Sequence, residues 1–362
     1  MACNLRCPYC FEPHKLHETS QVMTESQVEA AFEALDAIRE QRKDLSRAGY
    51  NLFGGEPLLP TTKKIVESVV QKAAQRHLYG SITTNGTHLH QFVDILYPYR
   101  TLLLFQITID GSQEIHDKRR ITAGGKGTFE QIISNIELYL SKGFKIDVRM
   151  NLNEENIHIV PELLQYLKEK KFPEYDNFCL SLSPVTNYTG LGGEGIMAPH
   201  EVEARVREQV PMNLLKEVKV GLNGDFSRLN LPVSKAIGES FIKDEFMPSL
   251  FYCEASGGSF YVFAPDGNIY PCNQIIADPS WAIGTYDSEF YINQEAADLW
   301  HGRDVSNMPQ CMECSVAFLC SGGCPVMANR KYGSPMASYC GTSKKELHDY
   351  LDSVAPKILS QV

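Results

Sequence analysis

The sequence predicts an α/β fold, a parallel sheet covered by helices, followed by a small, loop-rich cysteine domain. Three observations carry this. From residue 24 onward, segments with a helical hydrophobic period alternate with short apolar runs. Runs such as LLLFQITI at 102–109 are nearly uninterrupted, as parallel strands covered by helices tend to be. Seven of the eleven cysteines fall from Cys253 to Cys340, among short strands and turns.

Thr24–Glu40 reads as an amphipathic helix, with Thr24 and Gln27 spaced for a capping box. Tyr50–Phe53 is a strand running into Gly54-Gly55-Glu56-Pro57. Thr61–Arg76 is helical, Gly80–Thr84 is a strand ending in Asn85-Gly86, and His90–Tyr97 is helical. Leu102–Ile109 is a strand stopping at Asp110-Gly111. Helix Thr128–Lys142, strand Lys145–Asn151, helix Ile159–Lys170 and strand Phe178–Leu182 complete five strands. Cys3 leaves no room for a strand ahead of the first cysteines, so a sixth strand is expected upstream of the sequence. Residues 184–250 lose the rhythm and read as a linker or helical region between a core at 1–183 and the cysteine module at 251–362. GLGGEG at Gly190–Gly195 follows no strand directly and opens no helix, so it reads as a mobile loop rather than a phosphate cradle. Asp266-Gly267 is a hairpin turn between Phe260–Phe263 and Asn268–Tyr270. The C-terminal module is too loop-rich to stand without inorganic staples.

The chain has 362 residues, enough for two to three domains and a sizeable core. Hydrophobic residues make up 43% and charged residues 22%, ordinary globular values. No apolar run approaches the roughly 20 residues needed to span a bilayer, so a soluble protein is expected. A formal net charge of -10 offers no basic field for a nucleic-acid backbone. The clustered cysteines and the lack of a signal peptide point to a reducing cytoplasm and to metal or cluster ligands rather than disulfides.

Cys3-x3-Cys7-x2-Cys10 places three thiolates on one short loop. A closed structural zinc site wants four ligands, whereas an iron–sulfur cubane held by three keeps one iron open for chemistry. CNLRCPYCFE, including the aromatic Tyr9 before the last cysteine, resembles the signature of the radical S-adenosylmethionine (SAM) superfamily. That resemblance implies a partial (β/α)6, TIM-like barrel. It also implies a 4Fe-4S cluster on Cys3, Cys7 and Cys10 whose unique iron is chelated by SAM, and a 5'-deoxyadenosyl radical formed when an electron enters. An external electron donor such as flavodoxin or ferredoxin is implied as well.

Gly54, Gly55 and Glu56 resemble the family's GGEP motif, whose backbone and glutamate hold the SAM amino group. Glycines let backbone approach closely and a carboxylate suits an ammonium. Thr84 and Asn85, and then Thr108 and Asp110, resemble further SAM-lining strand ends. A plain strand-ending turn is the alternative for each. Arg149 is placed to pair with the SAM carboxylate, a core ion pair being the competing reading. The basic segment His116–Arg120 also resembles this group, but reads as a solvated patch with no chemical role.

The C-terminal pattern resembles the SPASM domain, a small α+β extension of radical SAM enzymes that modify peptides and proteins, with two auxiliary 4Fe-4S clusters. A zinc ribbon is the alternative, weakened because seven cysteines do not divide into four-ligand sites. The resemblance assigns Cys311, Cys314, Cys320 and Cys340 to one cluster, and Cys253, Cys272 and Cys324 to the other. The second set has three members, with Ser256 and Ser259 rather than cysteine nearby. It is expected to leave an iron open to a soft ligand such as a substrate thiolate. Cys179 reads as a buried small hydrophobe.

The leading expectation is a maturase that abstracts hydrogen from a peptide or protein residue and installs a cross-link, a thioether above all. The runner-up is an anaerobic sulfatase-maturing enzyme that converts cysteine or serine to formylglycine. Those enzymes are expected to carry an aspartate proton acceptor directly after the cysteine equivalent to Cys272, where this sequence has Asn273, an amide that is no base near neutral pH. The catalytic base is left unassigned. A non-catalytic electron carrier has no need of a SAM pocket and stands last.

Overall fold

β1 (Tyr50–Leu52), β2 (Gly80–Thr84), β3 (Leu103–Thr108), β4 (Lys145–Leu152) and β5 (Phe178–Pro184) lie side by side in chain order, every neighbouring pair parallel. They belong to a computed structural model that describes residues 2–10, 12, 21–45, 48–186, 195–197, 199–220, 248–276, 278–340, 344, 345, 348 and 352. The chain divides into two units: Met1–Met197 with Val202–Phe226, and Ala198–Glu201 with Ser227–Val362. Most of the GLGGEG segment, residues 190–194, lies outside the described residues.

The described helices that precede β5 are α1 (Glu25–Gln41), α2 (Lys63–Gln75), α3 (Val93–Leu96), α4 (Gln113–Arg119), α5 (Phe129–Ser141) and α6 (Val160–Glu169). α1 starts at the expected capping box, in which Thr24 Oγ1 accepts from the Gln27 N–H and the Gln27 amide oxygen accepts from the Thr24 N–H. α1 and α2 bury Val28, Phe32, Val69 and Ala73 with Leu78 in one core. α5 packs on β3 through Tyr139, whose ring meets Phe105 edge-on at 5.1 Å and stacks on Phe144 at 4.5 Å.

The two faces of the sheet differ more than continuous apolar strands suggest. Along β4, Ile146, Val148, Met150 and Leu152 are fully buried against the apolar layer. The alternate positions carry Asp147, Arg149 and Asn151, because successive strand side chains point to opposite faces. Asp147 accepts hydrogen bonds from Gln106 at 2.9 Å and Ser181 at 2.8 Å. The Cys179 thiol donates to the same carboxylate and to the Ile146 carbonyl. Cys179 is therefore half-buried on the polar face, not a buried apolar side chain as its FCLSL context suggests.

Beyond β5 the expected linker is ordered over 199–220. It holds α7 (Pro199–Gln209) and α8 (Met212–Glu217), and Val220 then forms a parallel bridge with Leu180 at the sheet's edge. Val202, Val206, Leu215 and Val218 are buried.

The second unit holds a four-stranded antiparallel sheet, β6 (Val262–Phe263), β7 (Asn268–Tyr270), β8 (Gly284–Thr285) and β9 (Tyr291–Ile292). The predicted hairpin is present, with Gly267 at φ +83° in the turn, although its first strand is two residues long. Helices α9 (Gln294–His301), α10 (Pro309–Met312), α11 (Ala317–Cys320) and α12 (Pro325–Tyr332) follow. Such strands are too short to be stable on sheet hydrogen bonds alone. A small core joins Val305, Met308, Cys311 and Ala317, with Cys314 against it, so two of the cysteines are part of the packing.

Candidate functional site

Parallel strands put all their C-terminal ends on one edge of the sheet, where the connecting loops gather. The three-cysteine segment is fastened there. The Arg6 N–H donates to the Ile121 carbonyl at 2.9 Å, the Ala123 N–H to the Asn4 carbonyl at 3.0 Å, and Leu5, almost fully buried, bridges Thr122. The Glu56 N–H donates to the Ala2 carbonyl at 2.8 Å. Cys10 N–H closes a tight turn onto the Cys7 carbonyl, and the Leu5 N–H points at Cys3 Sγ at 3.4 Å.

The three thiols are electrostatic neighbours. Burial pushes Cys3 up to about 11 and Cys10 up to about 12, and Cys7 adds to the rise at both. Burial also raises Cys7, opposed mainly by the Arg120 guanidinium. None of the three is in a disulfide. Among the described residues no three of His, Cys, Asp or Glu converge as one ion requires. Zn–S bonds of about 2.3 Å would bring sulfurs to roughly 3.8 Å of one another, whereas a cubane binds each thiolate at a separate iron. Three thiolates on one short loop are the donor set of a cluster that leaves one iron open.

Glu56 draws the strand ends together. Its side chain is 3% exposed, and it accepts from Thr84 Oγ1 at 2.6 Å, from the Leu58 N–H at 2.8 Å and from the Asn85 N–H at 2.6 Å. Burial nonetheless raises its pKa. A carboxylate offers about four acceptor sites, so one remains for an ammonium. Gly54 and Gly55 have φ of +92° and +54°, a turn that favours glycine. The Gly55 N–H donates to the Glu12 carboxylate at 2.9 Å. Asn85 donates to Asn4 at 2.8 Å, and its oxygen accepts from the Thr87 N–H and hydroxyl, so the cysteine loop and the β2 end form one network. Asn135 on α5 holds this turn from behind by donating to the Gly86 carbonyl at 2.8 Å.

Thr108 and Asp110 are both buried at the end of β3. Asp110 Oδ1 accepts from the Asn151 N–H at 3.0 Å, and Oδ2 accepts from the Tyr9 hydroxyl. Arg119 and Arg120 approach the same carboxylate at 3.9 and 4.0 Å. Asp110 is thus the anchor of the cysteine loop. Arg149 donates to Asn151 at 2.9 Å and to Gln106 at 3.3 Å on the polar face of the sheet.

The basic segment corrects the sequence reading most sharply. It forms α4 instead of a loop, and His116, Arg119 and Arg120 are buried, not solvated. Arg120 Nη1 donates to the Tyr9 hydroxyl at 2.6 Å, and Arg119 lies 4.8 Å from the Tyr9 ring centroid. Burial works against the Arg120 charge, yet Tyr9, Cys7 and Asp110 together hold its pKa above the usual value. Arg119 also binds Asn153 at 2.9 Å and Glu155 at 2.7 Å. The signal available in the sequence was the i, i+3 and i, i+4 spacing of His116 with Arg119 and Arg120, which gives one helical face.

In the second unit several of the expected cluster cysteines are electrostatic neighbours. Burial raises Cys272 to about 12, with added contributions from Cys324 and Cys253. Burial likewise raises Cys311, and its sulfur neighbours are Cys320, Cys340 and Cys314. None of the seven is in a disulfide. The Cys272 thiol donates to the Asn273 side chain at 3.8 Å, so the amide adjoins the sulfur. Arg303, which sequence reasoning missed, is a fully buried cation in this unit.

Residues 1–167 match the family model described as the Radical SAM superfamily. These residues form a radical SAM domain. Over the longer chain, the cysteine-type anaerobic sulfatase-maturating enzyme of Clostridium novyi (strain NT) is 23% identical across 334 residues, 89% of this chain and 84% of its own length. The structure of native anSMEcpe with bound AdoMet superposes with a TM-score of 0.68 at 20% identity, covering 99% of this chain and 95% of that one. Streptococcus suis SuiB bound to the precursor peptide SuiA gives 0.59 at 15% identity, covering 93% and 72%. These likenesses establish the fold, a radical SAM α/β domain followed by a SPASM-type unit. No described helix is long and apolar enough to cross a membrane.

Proposed function

We propose that this radical SAM enzyme oxidises a peptide or protein residue and uses its second unit to bind the substrate's sulfur, so that a thioether cross-link is installed. In this reading Cys3, Cys7 and Cys10 hold a 4Fe-4S cluster, and Gly54, Gly55, Glu56, Thr84, Asn85, Thr108, Asp110 and Arg149 line the SAM pocket. When bound and reduced, the cluster with SAM supplies a 5'-deoxyadenosyl radical for hydrogen abstraction. The protein's own part is placement. Glu56 offers its remaining acceptor site to the SAM ammonium, and the Tyr9–Asp110–Arg120 chain holds the cysteine loop against the sheet.

The second unit supplies Cys311, Cys314, Cys320 and Cys340 to one auxiliary cluster, and Cys253, Cys272 and Cys324 to another. The observation that carries the thioether reading is the trio of Cys272 with its sulfur neighbours Cys324 and Cys253, with no cysteine between Cys179 and Cys253 in the sequence to complete a fourth ligand. A soft substrate thiolate suits the fourth position. Two further features support the class of substrate: SuiB was solved with a precursor peptide, and the Clostridium novyi relative matures a protein. Eleven cysteines with none in a disulfide favour a reducing compartment, hence the cytoplasm, with an external donor such as flavodoxin or ferredoxin supplying electrons.

A second reading, formation of formylglycine from cysteine or serine, is favoured by the near full-length match to the sulfatase-maturating relative. Asn273 stands against it, since an amide takes no proton near neutral pH. The reactions part cleanly on a cysteine-containing peptide incubated anaerobically with reconstituted enzyme, dithionite and SAM. The thioether removes two hydrogens, retains the sulfur and consumes a free thiol. Formylglycine gives an aldehyde that reacts with hydrazide. Hydrazide trapping without thiol-to-carbon linkage overturns the first reading.

A further inference from the structure

Arg303 heads the largest fully buried side chains among the described residues, with 0% exposure. A buried guanidinium normally faces a carboxylate, because an unpaired buried charge is costly. Here, among the described residues, its hydrogen-bond partners are three carbonyl oxygens. Nε donates to Pro335 at 2.6 Å, and Nη2 donates to Gly322 at 2.7 Å and Ala337 at 3.1 Å. Nη1 has no hydrogen-bond partner among the described residues. Burial works against its charge, and its electrostatic neighbours include the sulfurs of Cys324 and Cys253 of one proposed set and of Cys311 and Cys320 of the other.

The chain path explains how one side chain serves both sets. Gly322 lies between Cys320 and Cys324, which belong to different sets. Ser321, Gly322 and Gly323 all have positive φ, at +54°, +76° and +74°. A Cβ on Gly323 would fall 1.9 Å from the Tyr339 carbonyl oxygen, so the segment leading to Cys340 packs directly on this turn. The Gly322 carbonyl accepts both from the Tyr339 N–H at 2.9 Å and from Arg303. Arg303 thereby ties the turn that carries Cys320 and Cys324 to the arm that carries Cys340.

We propose that Arg303 is the shared counter-cation of both auxiliary clusters, a positioning residue whose charge makes each easier to reduce and whose fork fixes the two ligand-bearing segments. The inference rests on the proposed ligand sets. Each cluster takes one electron from a reductant, and a nearby positive charge stabilises the added negative charge.

The test compares wild type with Arg303→Met and Arg303→Lys, each full-length chain reconstituted anaerobically with iron and sulfide, counted for both, and titrated with dithionite under EPR. The signal that changes on adding SAM marks the N-terminal cluster. Roughly 12 irons per chain are expected for three cubanes. With iron retained, Arg303→Met shifts the reduction equilibrium of both auxiliary signals at least tenfold toward the oxidised form, about 59 mV for a one-electron couple. The SAM-responsive signal stays put, and Arg303→Lys recovers most of the shift. Should Arg303→Met lose iron, Arg303→Lys decides, near-wild-type potentials supporting the proposal and a shift of tenfold or more contradicting it. A fully loaded Arg303→Met with unchanged auxiliary potentials overturns the inference while leaving the ligand sets standing. Wild type holding only about four irons overturns the ligand sets themselves, and the inference with them.

Discussion

Around Cys3, Cys7 and Cys10 the buried cations Arg119 and Arg120 meet a carboxylate, Asp110, and a phenol, Tyr9. Around the seven C-terminal cysteines the buried cation Arg303 meets carbonyl oxygens and sulfurs. The first region hangs from a five-stranded parallel sheet with its own apolar layer, and its charges are compensated by protein groups. The second rests on strands of two or three residues and a core into which Cys311 and Cys314 are built. In the first region the fold makes a place for the proposed cluster, whereas in the second the proposed clusters would be part of what holds the fold.

Removing iron should separate the two regions most widely. After chelation under mild oxidation, hydrogen exchange is expected to lose protection throughout 248–340 while β1 to β5 stay protected, because metal binding and folding are one equilibrium where the core is small. Equal loss in both units would break the comparison.

Within the first unit, Glu56→Ala leaves the buried Asn85 and Leu58 N–H groups without their acceptor. About 3 kcal/mol of stability should go, at 1–3 kcal/mol for each orphaned group, read as a lower urea midpoint. A midpoint near wild type would mean that the β1 and β2 loops do not depend on this carboxylate.

His116 gives a pH dependence of the same unit. Burial, with Arg120 and Arg119 adding to it, holds the imidazole well below its ordinary value. Its Nδ1 accepts from the Asp110 N–H at 3.2 Å, so the neutral ring is the one that fits. As pH falls below about 6.5 the unfolded chain takes up a proton that the folded chain refuses, and stability drops. One unit below that value the loss is about 1.4 kcal/mol. His116→Gln should flatten this part of the urea-midpoint profile, and an unchanged slope would assign it elsewhere.

Tyr9→Phe is the mildest probe. It removes the hydroxyl that donates to Asp110 and accepts from Arg120, worth about 1 kcal/mol. Faster alkylation of Cys7 and Cys10 in the iron-free chain, with the sheet unaffected, would mark the loop's latch.

Much of this architecture was legible beforehand. Period and apolar runs located all five strands, and Thr24 with Gln27 marked the start of α1 correctly. The resemblance to the SPASM domain assigned the C-terminal sulfurs to two sets; Cys272 has Cys324 and Cys253 among its neighbours, and Cys311 has Cys320, Cys340 and Cys314. What escaped were residues whose role depends on distant partners. Arg119 and Arg120 look solvated along the chain and become buried only when the cysteine loop packs on the strand ends. Cys179 misled because its apolar neighbours share its strand but not its face. Arg303 carried no local motif, since its partners lie 19 to 34 residues onward.

The central claim is that Cys3, Cys7 and Cys10 hold an open cluster that binds and cleaves SAM. Oxygen-protected full-length protein incubated with dithionite and SAM should release 5'-deoxyadenosine, and Cys7→Ala should release none while losing about four irons per chain. Zinc in place of iron at this loop, or a Cys7→Ala variant that still releases 5'-deoxyadenosine, would contradict it.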